Sequence, residues 1–122
     1  MLRLGTTKDE LGIVADQIGA PTYARDLAVT IADLISNNIK PIGVEYQHFT
    51  NAGICSWAQF AKEIFKLANI KCNVNEITTE QFPTKAERPA YSVLNLDALN
   101  KYEFIKNRNW QDALQDCIKL LN

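Results

Sequence analysis

Between residues 23 and 38 apolar side chains return at helical spacing. Leu27, Ala28, Ile31, Leu34 and Ile35 share one stripe, while Arg25, Asp26 and Asp33 fall largely off it. That period predicts an amphipathic helix. Thr22 is placed to cap its start through its hydroxyl, and Asn37-Asn38, Pro41 and Gly43 end it. A second helix opens on "SWAQ" (56–59), where Ser56 and Gln59 have the spacing of a capping box, and it runs to about Asn69. Trp57, Phe60, Ala61, Ile64 and Ala68 form its apolar stripe. The clearest helix is the last, 110–121. There Trp110, Ala113, Leu114, Cys117, Ile118 and Leu121 follow i, i+3, i+4, i+7, i+8 and i+11, with Asn109 as cap. "MLRLG" reads as the last turn of a helix with a Gly stop, and a short helix follows Asn95.

Three stretches read as strands. "ELGIVAD" (10–16) and "CNVNEIT" (72–78) are short. "GVEYQHFTN" (43–51) alternates with a period of two and sets Val44, Tyr46 and His48 on one face. Residues 79–92 are mostly loop, since Pro83 and Pro89 block regular structure. Strands alternating with helices predict an α/β fold, although three short strands make a thin sheet.

Composition narrows the function. The chain has 122 residues, enough for one domain with a core, and it is 47% hydrophobic and 22% charged. Net charge is −1 and the cations are scattered, which argues against a nucleic-acid surface. Cys55, Cys72 and Cys117 form no CxxC pair, and His48 is the one histidine, so neither a zinc site nor any other metal is expected. Three free thiols suit a reducing cytoplasm. The N-terminus is too polar for a signal peptide, and no apolar run approaches the roughly 18–20 residues of a membrane span.

No catalytic constellation is complete. Neither GxGxxG nor GxxxxGK[ST] occurs, and no Ser sits in a GxSxG elbow. His48 and Cys55 could be imagined as a thiol–imidazole pair, but a strand histidine and a packed thiol are the better account. Two loops carry the binding candidates. In "ADQIGAPTYARDLA" (15–28), Gly19, Pro21 and Thr22 are explained by a strand-to-helix turn. Asp16 and Gln17 are not: they stand at a strand end, where α/β proteins place ligand contacts. In "ERPAYSVLN" (87–95), Arg88 offers a planar fork for phosphate or carboxylate, unless it is spent on Glu87 or Asp97.

"DQIGAPTYARDLA", "HFTNAGICSWAQFAKEIF", "ITTEQFPTKAERPAYSVLN" and the terminal Trp-x-x-Ala-Leu together resemble the C-terminal part of the dTDP-4-dehydrorhamnose reductases, which are extended short-chain dehydrogenase/reductases. The resemblance runs from about Met1 to Leu121. It implies the substrate-binding end of a Rossmann-like enzyme, with three to four helices and a sheet incomplete without an N-terminal half. That half would hold NADPH or NADH in a Rossmann domain with a Gly-rich fingerprint and a catalytic Tyr-x-x-x-Lys. The enzyme reduces dTDP-4-dehydro-L-rhamnose to dTDP-L-rhamnose, a precursor of surface polysaccharides. Here Tyr102-x-x-x-Lys106 fits the letters but lies in the wrong region, so no catalytic residue is expected in this chain. The chain thus reads as residues 1–122 of a C-terminal region, inactive alone, with Asp16, Gln17, Pro21, Thr22 and Arg88 touching the sugar nucleotide. Two departures stand out: Asn95 replaces the usual Asp, and Arg108-Asn109 replaces the usual Leu-Pro before the final Trp. Two other readings remain open. One is a non-catalytic regulatory module related to the methionine adenosyltransferase regulatory subunit. The other is an α/β piece that self-associates through unpaired strand edges.

Overall fold

The structure, a computed structural model, describes residues 1–40 and 43–121. The fold is α/β. Helix α1 (Leu2–Gly5) leads into β1 (Glu10–Val14), and β2 (Ile18–Gly19) into α2 (Ala24–Ser36). Strand β3 (Cys55–Ser56) runs directly into α3 (Trp57–Leu67). Then come β4 (Asn73–Ile77), a 3₁₀ turn (Thr79–Gln81), α4 (Asp97–Asn100) and α5 (Trp110–Leu121). Strands β1 and β4 pair in parallel, from Glu10 opposite Asn73 to Val14 opposite Ile77. Strands β2 and β3 pair antiparallel, Ile18 with Ser56 and Gly19 with Cys55.

The core lies where α3 meets α5 over the β1–β4 ribbon. Cys55, Ile64, Phe65, Trp110, Leu114 and Ile118 are buried together, with Leu11 and Val74 packed against them from the two strands. Phe60 meets Trp110 edge to face, with centroids 5.7 Å apart. Gly5 is a packing requirement rather than a helix stop: a Cβ there would come 2.5 Å from the Phe65 ring.

Helix ends are settled by local chemistry. At α3, Ser56 Oγ accepts from the Gln59 N–H (3.1 Å) and Gln59 Oε1 accepts from the Ser56 N–H (2.9 Å), the reciprocal cap predicted from "SWAQ". Its other end closes through Asn69 at φ +53°, with Ile70 N–H donating to Phe65 O and Asn69 N–H to Lys66 O. Helix α2 ends alike, through Asn38 at φ +51°, Ile39 N–H on Leu34 O and Asn38 N–H on Ile35 O. Asn tolerates the left-handed conformation that this double closure needs.

Leu121, at the end of the predicted α5 stripe, is 65% exposed, and four further expectations need correcting. Residues 43–51 form no strand; Val44 and Tyr46 are 82% and 84% exposed, because no segment among the described residues offers their backbone a ladder. The α2 stripe exists as a pattern but is uncovered: Leu27, Ile31 and Ile35 are exposed, and Thr30 is the buried residue of that helix. Trp57 is 58% exposed, and Ala58 and Phe65 take the buried side of α3 instead. Thr22 does not cap α2. Its hydroxyl turns back to Ala20 O (3.4 Å), and Tyr23 occupies the cap position.

Candidate functional site

The turn after β2 opens onto a cavity of about 530 Å³. Gly19–Tyr23 forms one wall, Phe49–Asn51 a second, and Trp57 and Phe60 of α3 a third. Trp110, Leu114 and Cys117 of α5 form the floor, and Ser92 and Leu94 edge it. The lining is aromatic and hydroxyl-bearing, and none of these side chains is charged. Such a site suits the uncharged parts of a ligand, held by shape and a few hydrogen bonds.

The two loops singled out in the sequence are brought together at this cavity. Ile18 bridges to Tyr91: Ile18 N–H donates to Ala90 O (2.8 Å) and Ser92 N–H to Ile18 O (2.9 Å). A Cβ on Gly19 would sit 3.1 Å from Ser92 Oγ, so the smallest residue lets the loops approach. Arg88, four residues before Ser92, is exposed and has no ion pair among the described residues; the pairing with Glu87 or Asp97 is not formed.

The other four predicted residues divide into two groups. Pro21 and Thr22 line the cavity. Asp16 and Gln17 lie at the end of β1, where both engage Thr79. The Asp16 carboxylate accepts from Thr79 N–H (3.0 Å) and from its hydroxyl (2.7 Å), and Gln17 Nε2 donates to Thr79 Oγ1 (3.0 Å). The Thr79 backbone and side-chain hydrogen bonds hold the Asp16 carboxyl below the ordinary carboxylate value.

Sequence reasoning missed an ionic network behind the cavity. Asn51 is 1% exposed. Its Oδ1 accepts from Tyr23 N–H (2.8 Å), and its Nδ2 donates to Asp26 Oδ2 (2.6 Å). Arg108 grips Asp26 through Nε and Nη2, both at 2.9 Å, and reaches Asp116 through Nη1 at 2.6 Å. Burial pushes the Asp26 carboxyl up, but hydrogen bonds from Arg108 and Asn51, with the Arg108 charge, outweigh it and hold it below the ordinary value. The Arg108 hydrogen bond also lowers Asp116, and both carboxylates raise Arg108. No local pattern points here: Thr22 reads as an ordinary cap, and only the structure shows that the first turn of α2 has no side-chain cap and is secured from elsewhere.

Other chemistry is weak. Burial pushes the Cys55 thiol up to about 11, while His48 is exposed, so the imagined pair has no activated nucleophile. The three cysteines are free. Among the described residues no group of His, Cys, Asp and Glu could hold a metal ion. No helix there is long and apolar enough to cross a membrane.

Residues 1–122 match the family described as the RmlD substrate binding domain. The chain is 41% identical over 119 residues to the spore coat polysaccharide biosynthesis protein SpsK of Bacillus subtilis (strain 168), covering 98% of this chain and 40% of that protein. Its fold superposes on the dTDP-4-dehydrorhamnose reductase of Clostridium acetobutylicum with a TM-score of 0.89 and 42% identity, covering 98% of this chain and 41% of the other. A Bacillus anthracis dTDP-4-dehydrorhamnose reductase, solved in complex with NADP, gives a TM-score of 0.88 and 39% identity, with 98% and 41% covered. The chain spans about two-fifths of the length of these relatives.

Proposed function

The chain belongs to the RmlD substrate binding domain family, and from that premise we propose that it is the sugar-nucleotide-binding portion of a dTDP-4-dehydrorhamnose reductase. The observation that carries this reading is the joining of two loops at one cavity by the Ile18–Tyr91 bridge. Pro21 and Thr22 form a wall for the uncharged parts of the nucleotide sugar. Arg88, exposed on the loop tied to that wall, takes the diphosphate, for which its guanidinium fork is suited. Gln17 contributes its amide oxygen from the end of β1. Asp16 acts on the ligand by holding the Thr79 turn beside it. Binding energy gathered from these remote groups orients the keto carbon.

The residues of this chain do not fit a dinucleotide: β1 runs into Asp16-Gln17 rather than into a Gly-rich turn. We therefore assign NADPH or NADH, which supplies the hydride when bound, and the proton-donating Tyr to a separate N-terminal domain of a longer protein. Residues 1–122 alone should turn over no NAD(P)H. That domain would also cover the apolar side of α2. Without it the chain self-associates through this face, giving a sedimentation coefficient that rises with concentration. The free thiols suit a cytoplasmic setting.

The test is reductase turnover of dTDP-4-dehydro-L-rhamnose by the full-length protein and its Arg88→Ala variant. We expect activity in the first and a KM for the sugar nucleotide raised about tenfold or more in the second. Arg88→Ala kinetics equal to wild type would remove Arg88 from the site. A full-length protein that binds the sugar nucleotide but oxidises no NAD(P)H would favour the regulatory-module reading.

A further inference from the structure

We infer that Arg108 and Asn51 are positioning residues, a clamp behind the cavity that fixes the Gly19–Tyr23 wall from outside. The inference rests on the sugar-nucleotide reading for its link to catalysis, but its geometry stands independently.

Three of the segments that border the cavity are the turn before α2, the stretch 49–51, and the start of α5. All three are tied at one place. Asn51 Oδ1 holds the Tyr23 N–H at 2.8 Å and its Nδ2 holds Asp26, in the first turn of α2, at 2.6 Å. Arg108 closes the circuit with two hydrogen bonds to Asp26 and one to Asp116 of α5. Its guanidinium also lies 5.8 Å from the Tyr23 ring centroid. The backbone repeats the connection, with Ala52 N–H on Arg108 O and Trp110 N–H on Ala52 O, both 2.9 Å. Gly53 permits this approach: its φ is +87°, and a Cβ would stand 3.0 Å from the Trp110 ring.

Asp26, Arg108 and Asp116 do not line the cavity; Tyr23 and Asn51 do. The ionic groups can therefore act on a ligand only through the wall they hold. Three hydrogen bonds fanned across two carboxylates need a planar fork. A lysine ammonium is a point charge and cannot span the same arrangement.

The test uses the full-length protein with Arg108→Met and Arg108→Lys. Lys keeps the charge and so serves where Met does not fold. Two quantities are read: hydrogen exchange at the Tyr23 amide relative to the Ile118 amide in α5, and the KM for the sugar nucleotide against kcat. The clamp predicts faster exchange at Tyr23 with Ile118 unchanged. It also predicts a KM raised about tenfold at near-constant kcat, in Lys as well as Met. Full rescue by Lys, unchanged Tyr23 exchange, or equal acceleration at Tyr23 and Ile118 would overturn it. Faster Tyr23 exchange with an unmoved KM would also overturn the link to binding. If the wild-type protein neither binds nor reduces the sugar nucleotide, the functional reading fails, and the exchange data still decide whether the clamp exists.

Discussion

Helices α2 and α5 carry similar stripes and meet opposite fates. Trp110, Ala113, Leu114 and Ile118 of α5 are buried against α3. Leu27, Ile31 and Ile35 of α2 repeat at the same helical period and are exposed, Ile35 at 72%. Periodicity says which side of a helix is apolar, but what covers that side depends on the rest of the molecule. The stretch 43–48 makes the same point for strands: its alternation is plain, yet no partner strand is present among the described residues. One end of α2 is nevertheless firmly held, because Asp26 is gripped by Arg108 and Asn51.

The sharpest way to break this comparison is to truncate one residue from each helix. Trp110→Ala should cost about 3–5 kcal/mol, since it empties the α3–α5 contact. Ile35→Ala should fall within about 0.5 kcal/mol of wild type, as an exposed position does. Urea unfolding of residues 1–122, dilute enough to be monomeric, measures the gap for both variants, and comparable losses there would mean that the chain itself covers α2. Next come the caps. Ser56→Ala should cost about 1 kcal/mol, and Thr22→Ala much less, because Ser56 bonds its helix and Thr22 does not. Thermal midpoints that reverse this order would restore Thr22 as a cap.

Smaller still is the acid response. Asp16, Asp26 and Asp116 are all held below the ordinary 3.8. Near and below that value the unfolded chain takes up protons first. The stabilisation is therefore complete above about pH 5 and declines as pH falls below about 4, through the lowered values. Asp26→Asn with Arg108→Gln should flatten this limb of the stability profile. A double variant with the wild-type acid slope would show that the network is not its source.

Much of the fold was legible because its signals are local. The "SWAQ" cap, the stripe from Trp110 to Ile118 and the Asn37-Asn38 stop each depend on neighbours within a turn or two. The loops carrying Pro21, Thr22 and Arg88 could be named as candidates from their residue types. That they meet depends on the Ile18–Tyr91 bridge, 73 positions apart, which no local pattern encodes. Asn51 and Arg108 were invisible for the same reason: each reads as an ordinary loop residue until Asp26 is placed between them. Asp16 and Gln17 looked like free polar groups only because Thr79, their partner, lies across the β1–β4 pair.

The account's central claim is that this chain holds a nucleotide-linked sugar and leaves the nicotinamide to another domain. The most direct test titrates residues 1–122 with dTDP-L-rhamnose and, separately, with NADPH, following the fluorescence of Trp57 and Trp110, both of which line the cavity. The account predicts a saturable change with the sugar nucleotide that weakens in Arg88→Ala, and none with NADPH. Saturable NADPH binding without any response to dTDP-L-rhamnose would contradict it.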